Sequence, residues 1–334
     1  MNSKQWAGAF FVVANLAAVS DASAIGIDES STERGAFSLL IENDEFARQD
    51  RHYTNGLQLS WLTAPRPDGG LAARAINWLP GNGDADVRIG WQLGQSLFTP
   101  NDKEASELLP DERPYAGWLY AGFSLVSSTD VHVDTWSLLA GTTGPDAKGE
   151  EVQNHVHEWI NATNANGWEH QIGNQAGGML IIERKWRALA QTRMYRFGVD
   201  FMPHLGVALG NIEQYANAGF SLRIGNDLDN DFGPPRIRPS LPGSGWFDPH
   251  DRWSWYLFAG VDGRYMDTSI FIDDHADSER WNIEKEPWVA DIQGGLVVTY
   301  GDFRFAYTYV VRTEEFDLQP EPDRFGSLAL TWRF

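Results

Sequence analysis

Two places in the chain bring together side chains that could do chemistry. The first is Glu42-Asn43-Asp44, followed at once by Asp50-Arg51-His52-Tyr53-Thr54-Asn55-Gly56. Converging Asn and Asp oxygens could ligate a hard cation such as calcium, which prefers oxygen donors. The same residue types are ordinary turn formers, so the cluster has a plainer reading as well. The second follows the turn Gly144-Pro145-Asp146. From Gly149 to Thr163 the spacing predicts a short helix, with Val152, Val156, Trp159 and Ile160 on one side and Gln153 and His157 on another. The apolar side is expected to pack against the body of the protein, which leaves Gln153 and His157 available to a site. A neutral His157 imidazole could take a proton near neutral pH, or it could be simply solvated; His155 points elsewhere on the helix.

Other chemistries are excluded by inspection. His157-Glu158-Trp159-Ile160-Asn161 lacks the second histidine of a zinc-protease helix, no G-x-S-x-G elbow occurs, and with no cysteine there is no thiol nucleophile, disulfide or thiolate-bound metal. None of the eight histidines is followed two residues later by serine, which disfavours a serine hydrolase built on that spacing. A histidine that activates water beside an oxygen-ligated cation remains open.

The elements that must position these residues read as strands. Apolar and polar residues alternate over about 36–44, 53–63, 87–97, 115–127, 131–141, 176–187, 194–210, 214–226, 252–271, 286–300, 302–315 and 323–334, twelve segments separated mostly by turn-rich sequence. Aromatics cluster near the ends: Tyr53 and Trp61, Trp118 and Tyr120, Trp253 and Trp255, Tyr300, Tyr307 and Tyr309. Interfacial girdles call for that placement, and the Gln, Gly, Ser and Arg between the apolar residues suit a polar lumen. A mean hydropathy of −0.38 alongside 15 tryptophans fits a barrel with apolar residues outward, whereas a soluble sandwich turns them in. Met1–Ala24 has Lys4, an apolar run and Ala22-Ser23-Ala24, the features of a cleavable secretory leader, and its apolar run is too short to span a bilayer. The expected organisation is a leader over 1–24 and an all-β, twelve-stranded antiparallel transmembrane β-barrel over 25–334, with a short helix in an extracellular loop. With 26 basic against 46 acidic residues and a net charge of −20, nucleic acid is excluded as a partner.

With both ends of the barrel in the periplasm, connections after odd-numbered strands face outward, among them 45–52, 98–114 and the longest, 142–175. The stretches 64–86 and 227–251 then become long periplasmic connections, where short turns are usual. The last strand, Leu328 to Phe334, alternates to a terminal Phe and resembles the C-terminal strand by which bacterial outer-membrane barrels are recognised; the barrel assembly machinery is therefore an expected partner.

Five motifs in order carry a family resemblance. These are Ile41-Glu42-Asn43-Asp44; Asp50-Arg51-His52-Tyr53-Thr54-Asn55-Gly56; Arg113-Pro114-Tyr115-Ala116-Gly117-Trp118; Gly144-Pro145 with Gly149-Glu150-Glu151-Val152-Gln153-Asn154 and His157; and Gly167-Trp168 with Gln171. Together they resemble the lipid A 3'-O-deacylase family. That resemblance implies a twelve-stranded outer-membrane barrel that removes the 3'-linked acyloxyacyl group of lipid A by calcium-dependent ester hydrolysis. It places the active site at Asn43, Asp44, Thr54 and His157, with His157 as general base and calcium held near Asn43 and Asp44. Gln153 and Lys103 are candidate substrate contacts. Here the sequence departs from members with two adjacent basic residues after the turn: Thr99-Pro100-Asn101-Asp102-Lys103-Glu104 offers only Lys103, which could meet a lipid A phosphate or be a solvated loop lysine. The competing class is a pore or structural barrel that binds divalent cations bridging lipopolysaccharide.

Overall fold

The computed structural model describes residues 34–334 apart from 48, 50, 67–74, 77–80, 84, 161–163, 238, 240–242 and 277, so the expected leader lies outside the described residues. Thirteen strands follow one another: β1 (Ala36–Asn43), β2 (His52–Leu62), β3 (Asp86–Thr99), β4 (Ala116–Ser128), β5 (His132–Thr143), β6 (Ala176–Trp186), β7 (Ala190–Met194), β8 (Phe197–Gly210), β9 (Glu213–Gly225), β10 (His250–Ser269), β11 (Trp288–Gly301), β12 (Phe303–Arg312) and β13 (Asp323–Arg333). Each pairs antiparallel with its sequence neighbours except around β7, and β1 pairs with β13. The ring closes between β6 and β8, which pair from Lys185↔His204 to Met179↔Gly210. β7 pairs only with the first residues of β8, Phe197 to Phe201, and extends a hairpin past the end of the wall. The wall is thus the twelve-stranded barrel expected, and β7 is an addition. Closure leaves none of the twelve wall strands with an open edge, as hydrocarbon demands of any sheet that crosses it.

Burial is inverted relative to a soluble barrel. Leu93, Leu138, Leu209 and Ile292 are more than half exposed, while Asp262 and Asp291 inside the barrel are wholly buried. Outward-facing rings stack side by side at the rim where the chain ends: Trp61 on Trp91 at 5.1 Å, Trp253 on Tyr300 at 4.7 Å, and Phe303 on Trp332 at 6.4 Å. Tyr265 and Trp288 meet edge to face at the other rim. Tyr53, Trp118 and Tyr120, expected in these girdles, are instead buried, and the Tyr120 hydroxyl donates to Gln58 inside the barrel. Their place along the strand is as expected, but strand parity turns them into the lumen.

The lumen is packed with paired charges. Arg264 bridges Asp262 and Asp291, and Arg312 makes a bidentate pair with Asp291. The two long connections are also accounted for. In the first, Ile76 is buried against Val87 with Leu125 and Trp136, residues that share parity with the outward-facing Trp91, Phe123 and Leu138, so the segment lies on the outside of the barrel. The second, between β9 and β10, folds into the barrel: Phe232 and Trp246 pack with inward-facing Ala36, Leu62 and Val126, and Ile237 packs with Leu40 and Val297. One cavity inside, lined by Gln58, Tyr120, Ile237 and Trp246 among others, holds about 130 Å³, room for a small cluster of waters. A lumen occupied by this segment counts against a passive pore.

Strand alternation puts the connections β1–β2, β3–β4, β5–β6, β8–β9, β10–β11 and β12–β13 at one rim, hereafter the upper rim. An epitope tag after Asn164 is expected to stain on intact cells and a tag after Tyr195, exposed in the turn between β7 and β8 at the opposite rim, only after lysis. The reverse pattern would invert the orientation of the barrel.

Candidate active site

The β1–β2 hairpin is fastened at the upper rim before it presents any chemistry. Asp44 opens a 3-10 turn (Asp44–Ala47) and its Oδ2 accepts the Arg51 N–H at 2.6 Å. Arg51 pairs with Glu321 at 3.0 Å, and His52 is fully buried between Asp323 at 2.7 Å and Glu112 at 3.3 Å. His52 holds a left-handed φ of 61°, rare for a side chain with a Cβ, and these two carboxylates secure it there. Burial raises the Glu112 carboxyl, but the hydrogen bonds it accepts from His52 and the Asn101 N–H outweigh that and leave it below the ordinary glutamate value. Asp50, the remaining acid of this motif, lies outside the described residues.

Parity then decides which side chains reach the outer wall. On β1 the exposed Phe37 and the residues two, four and six further on face outward, which makes Asn43 outward and Glu42 inward. Asn43 Nδ2 donates to the Thr54 carbonyl at 2.7 Å, and its Oδ1 accepts the Glu45 N–H at 2.9 Å. The register of β2 against β3 shifts between Tyr53 and Asn55. Thr54 is the extra residue, and the bulge turns its Oγ1 to Thr99 Oγ1 at 2.7 Å. Asn43, Thr54 and Thr99 thus form one hydrogen-bonded group.

On β3, Trp91 and Leu93 are exposed, yet Gln95, Leu97 and Thr99 of the same parity are buried. The β5–β6 connection covers the first two. Gln95 Nε2 donates to the Ala147 carbonyl at 2.7 Å, and Leu97 clusters with Tyr115, Ala165 and Trp168. From this cover rises α1 (Gly149–Ile160). Its orientation corrects the sequence-based expectation. Gln153 and His157, 3% and 6% exposed, are on the buried side, whereas Val152 and Val156 are 36% and 38% exposed. The side chains of Trp159 and Ile160, the other two of that apolar set, lie outside the described residues. In a protein whose surroundings are hydrocarbon, the apolar face of a rim helix turns away from the body and the polar face turns toward it. His155 is exposed and bonds the Glu151 carbonyl at 2.7 Å, in keeping with its expected place off the site.

Trp168 sets the pose of Gln153. Its ring is buried 5.0 Å from Tyr115, and its Nε1 donates to Gln153 Oε1 at 2.8 Å. Lys103 is 7% exposed, which removes the solvated-lysine reading; its carbonyl accepts from Tyr115 Oη and the Asn166 N–H, both at 2.9 Å. It therefore ties the β3–β4 connection to the cover. The Tyr115 hydroxyl is pushed up to about 12 by burial. Thr99 and Trp168 were not singled out for chemistry in the sequence, although both fall within its motifs; an unpaired Thr-Pro and a Gly-Trp carry no signal of their partners.

The donors here are all oxygens, suited to calcium: the Asp44 carboxylate, the Asn43 amide and the Thr54 and Thr99 hydroxyls. Among the described residues, no three His, Cys, Asp or Glu side chains converge as a metal cluster. An ion held by Asn43 and Asp44 would complete its shell with backbone carbonyls, water or substrate oxygens.

Fold and site together define an outer-membrane β-barrel that carries a hydrogen-bonded polar group, Asn43, Thr54 and Thr99, on the wall at its upper rim and a helix with its polar face turned inward beside β3. The family model described as outer membrane protein LpxR matches residues 7–334, and the chain belongs to that family, the outer-membrane lipid A deacylases. Among solved structures, LpxR from Salmonella typhimurium is similar with a TM-score of 0.72 at 21% identity, over 90% of this chain and all of that one. The β domain of the Bordetella autotransporter BrkA is a more distant likeness, with a TM-score of 0.42 at 7% identity over 91% of this chain and 99% of that one. No curated protein matches.

A Cβ on Gly149 would come within 2.5 Å of Trp168 Cη2. Gly149→Ala is therefore expected to unseat α1 and lower lipid A deacylation on the order of tenfold, through lost positioning, while the barrel keeps its heat-sensitive migration in SDS gels. Full activity in the variant would mean that the seat of the helix is irrelevant.

Proposed function

We propose that the protein hydrolyses the ester of the 3'-linked acyloxyacyl chain of lipid A, in the presence of calcium, with the upper rim at the cell surface. The observation that carries this reading is the inward turn of the Gln153–His157 face of α1, a helix whose first residue and whose Gln153 partner Trp168 lie against Leu97 of the outer wall, two residues from Thr99. A site on the outside of a barrel is open sideways to the outer leaflet, where lipid A resides, and the exposed Val152 and Val156 would meet acyl chains. The filled lumen offers no comparable route to a soluble substrate.

In this reading His157 takes a proton from a water as the water oxygen bonds to the ester carbonyl carbon. Collapse breaks the bond to the 3' oxygen, which receives the proton from His157, and the acyl chain leaves as a carboxylic acid that gives its remaining proton to solvent. Calcium bound by Asn43 and Asp44 would offset the charge that develops on the carbonyl oxygen. Thr54 fixes the Asn43 side chain through its carbonyl. Gln153, held by Trp168, and Lys103 would contact substrate, Lys103 as a point charge for a lipid A phosphate.

His157→Asn is expected to lose on the order of a hundredfold or more of hydrolysis with folding intact, the loss typical for a general base, while His155→Ala stays near wild type. Mass spectrometry of lipid A after incubation with each purified variant reads the result, and equal damage from both would point to helix disruption. Excess chelator should stop hydrolysis and calcium restore it, with magnesium poorer because it demands tighter octahedral geometry. Asp44→Ala should need more calcium or show no activity; undiminished hydrolysis in chelator would defeat the calcium role and leave the barrel standing.

A further inference from the structure

The segment between β9 and β10 does more than fill the barrel. At one end it is bound by arginines of the wall: Arg223 pairs with Asp231 at 2.7 Å and donates to the Leu228 carbonyl, and Arg304 pairs with Asp231 at 2.9 Å and donates to the carbonyls of Ser244 and Trp246. At the other end it climbs to the inner face of β1 and β2, where three contacts meet. Arg236 Nε donates to Glu42 Oε1 at 2.6 Å, with both side chains 2% exposed. Tyr53 Oη donates to the other Glu42 oxygen at 3.0 Å. Ile237 lies so close to Gly56 that a Cβ there would be 2.9 Å from Ile237 Cδ1 and would collide with the Tyr53 hydroxyl. Gly56 is the partner of Glu42 across the β1–β2 ladder, so all three contacts bear on one rung.

That rung directly precedes the site. Glu42 faces the lumen, and Asn43 and Asp44, the next two residues, form the outer-wall group and the turn that follows it. Gln293, which accepts from Arg236 Nη1 at 2.7 Å, and Arg312, which donates to the Pro239 carbonyl at 3.2 Å, tie the same stretch to β11 and β12. We propose that the β9–β10 connection is an internal brace for the outer-wall site, and that Arg236 is its positioning residue, holding Glu42 and thereby the backbone that presents Asn43 and Asp44. The brace reaches the site from inside the barrel and touches no substrate. This inference rests on the deacylase reading for its kinetic consequence but not for its structural one.

The test uses the full-length protein in detergent. Arg236→Met leaves Glu42 buried and charged, so the double variant Arg236→Met/Glu42→Gln is made beside it to remove the pair together, and Arg236→Lys is made to restore the charge. Arg304→Met loosens the opposite end of the same segment. The brace requires that the double variant, folded by gel migration, lose about tenfold in kcat with KM within about twofold, the pattern of a displaced catalytic group. Hydrogen exchange should rise in the peptide 40–56 and not in 135–143 of β5, and Arg236→Lys should recover part of both effects. Arg304→Met should lower thermal stability with kcat within about twofold of wild type. A folded double variant with wild-type kcat and unchanged exchange in 40–56 overturns the brace, as does an equal kcat loss in Arg304→Met. Failure of the wild type to release any acyl chain would sink the deacylase reading, and exchange in 40–56 would still decide the brace.

Discussion

A chain that crosses hydrocarbon must hand every backbone N–H and carbonyl to a neighbouring strand, and this requirement organises the rest of the protein. It forces the closure of β6 on β8 and of β1 on β13. Once the wall is closed, alternate side chains have only two destinations, and the apolar ones go to lipid. What remains for the inside is polar, which is how Asp262, Asp291, Arg264 and Arg312 come to be fully enclosed.

Enclosed charges are costly unless each meets its opposite, so the lumen becomes a set of matched pairs rather than a channel. The wall alone does not complete them. Arg304 and Arg236 find partners in or through the connection between β9 and β10, whose carbonyls and Asp231 enter from the end opposite the site. A long connection at a rim where turns are usually short is therefore part of the interior, and its apolar residues Phe232, Ile237 and Trp246 fill what the polar residues leave. The inner face of β1 is thereby held in place from behind, while its outer face is free to carry chemistry.

The outer wall would be an odd place for Asn43, Thr54 and Thr99 if it met only hydrocarbon. The cover formed by the β5–β6 connection bears on this by burying Gln95 and Leu97, neighbours of Thr99 on the same face of β3, and by turning the polar side of α1 inward. Its small residues set the distance, since Gly149 rests against Trp168 and Gly117 against Ala147. The result is a polar compartment at the edge of a lipid phase, with the exposed valines of α1 facing away from it. A water-dependent reaction on an amphiphile requires that arrangement.

Much of this was legible from sequence, because period-two alternation is a direct consequence of a wall that separates two media. The strands, the inversion of burial and the ordered motifs around Asn43, Thr54 and His157 all follow from residue type and spacing. The helix between Gly149 and Ile160 was legible too, but not its facing. Periodicity shows that Val152 and Val156 share one side and Gln153 and His157 another; it does not say which side meets the protein, because that depends on whether the surroundings are water or lipid. Parity likewise could not be read for Tyr53, Trp118 and Tyr120, since a bulge or a one-residue change of register exchanges in and out. The fate of the β9–β10 connection was decided only by tertiary structure: its partners Glu42, Arg223, Gln293, Arg304 and Arg312 are scattered over β1, β9, β11 and β12, and no local pattern in a sequence records which distant charge will neutralise another.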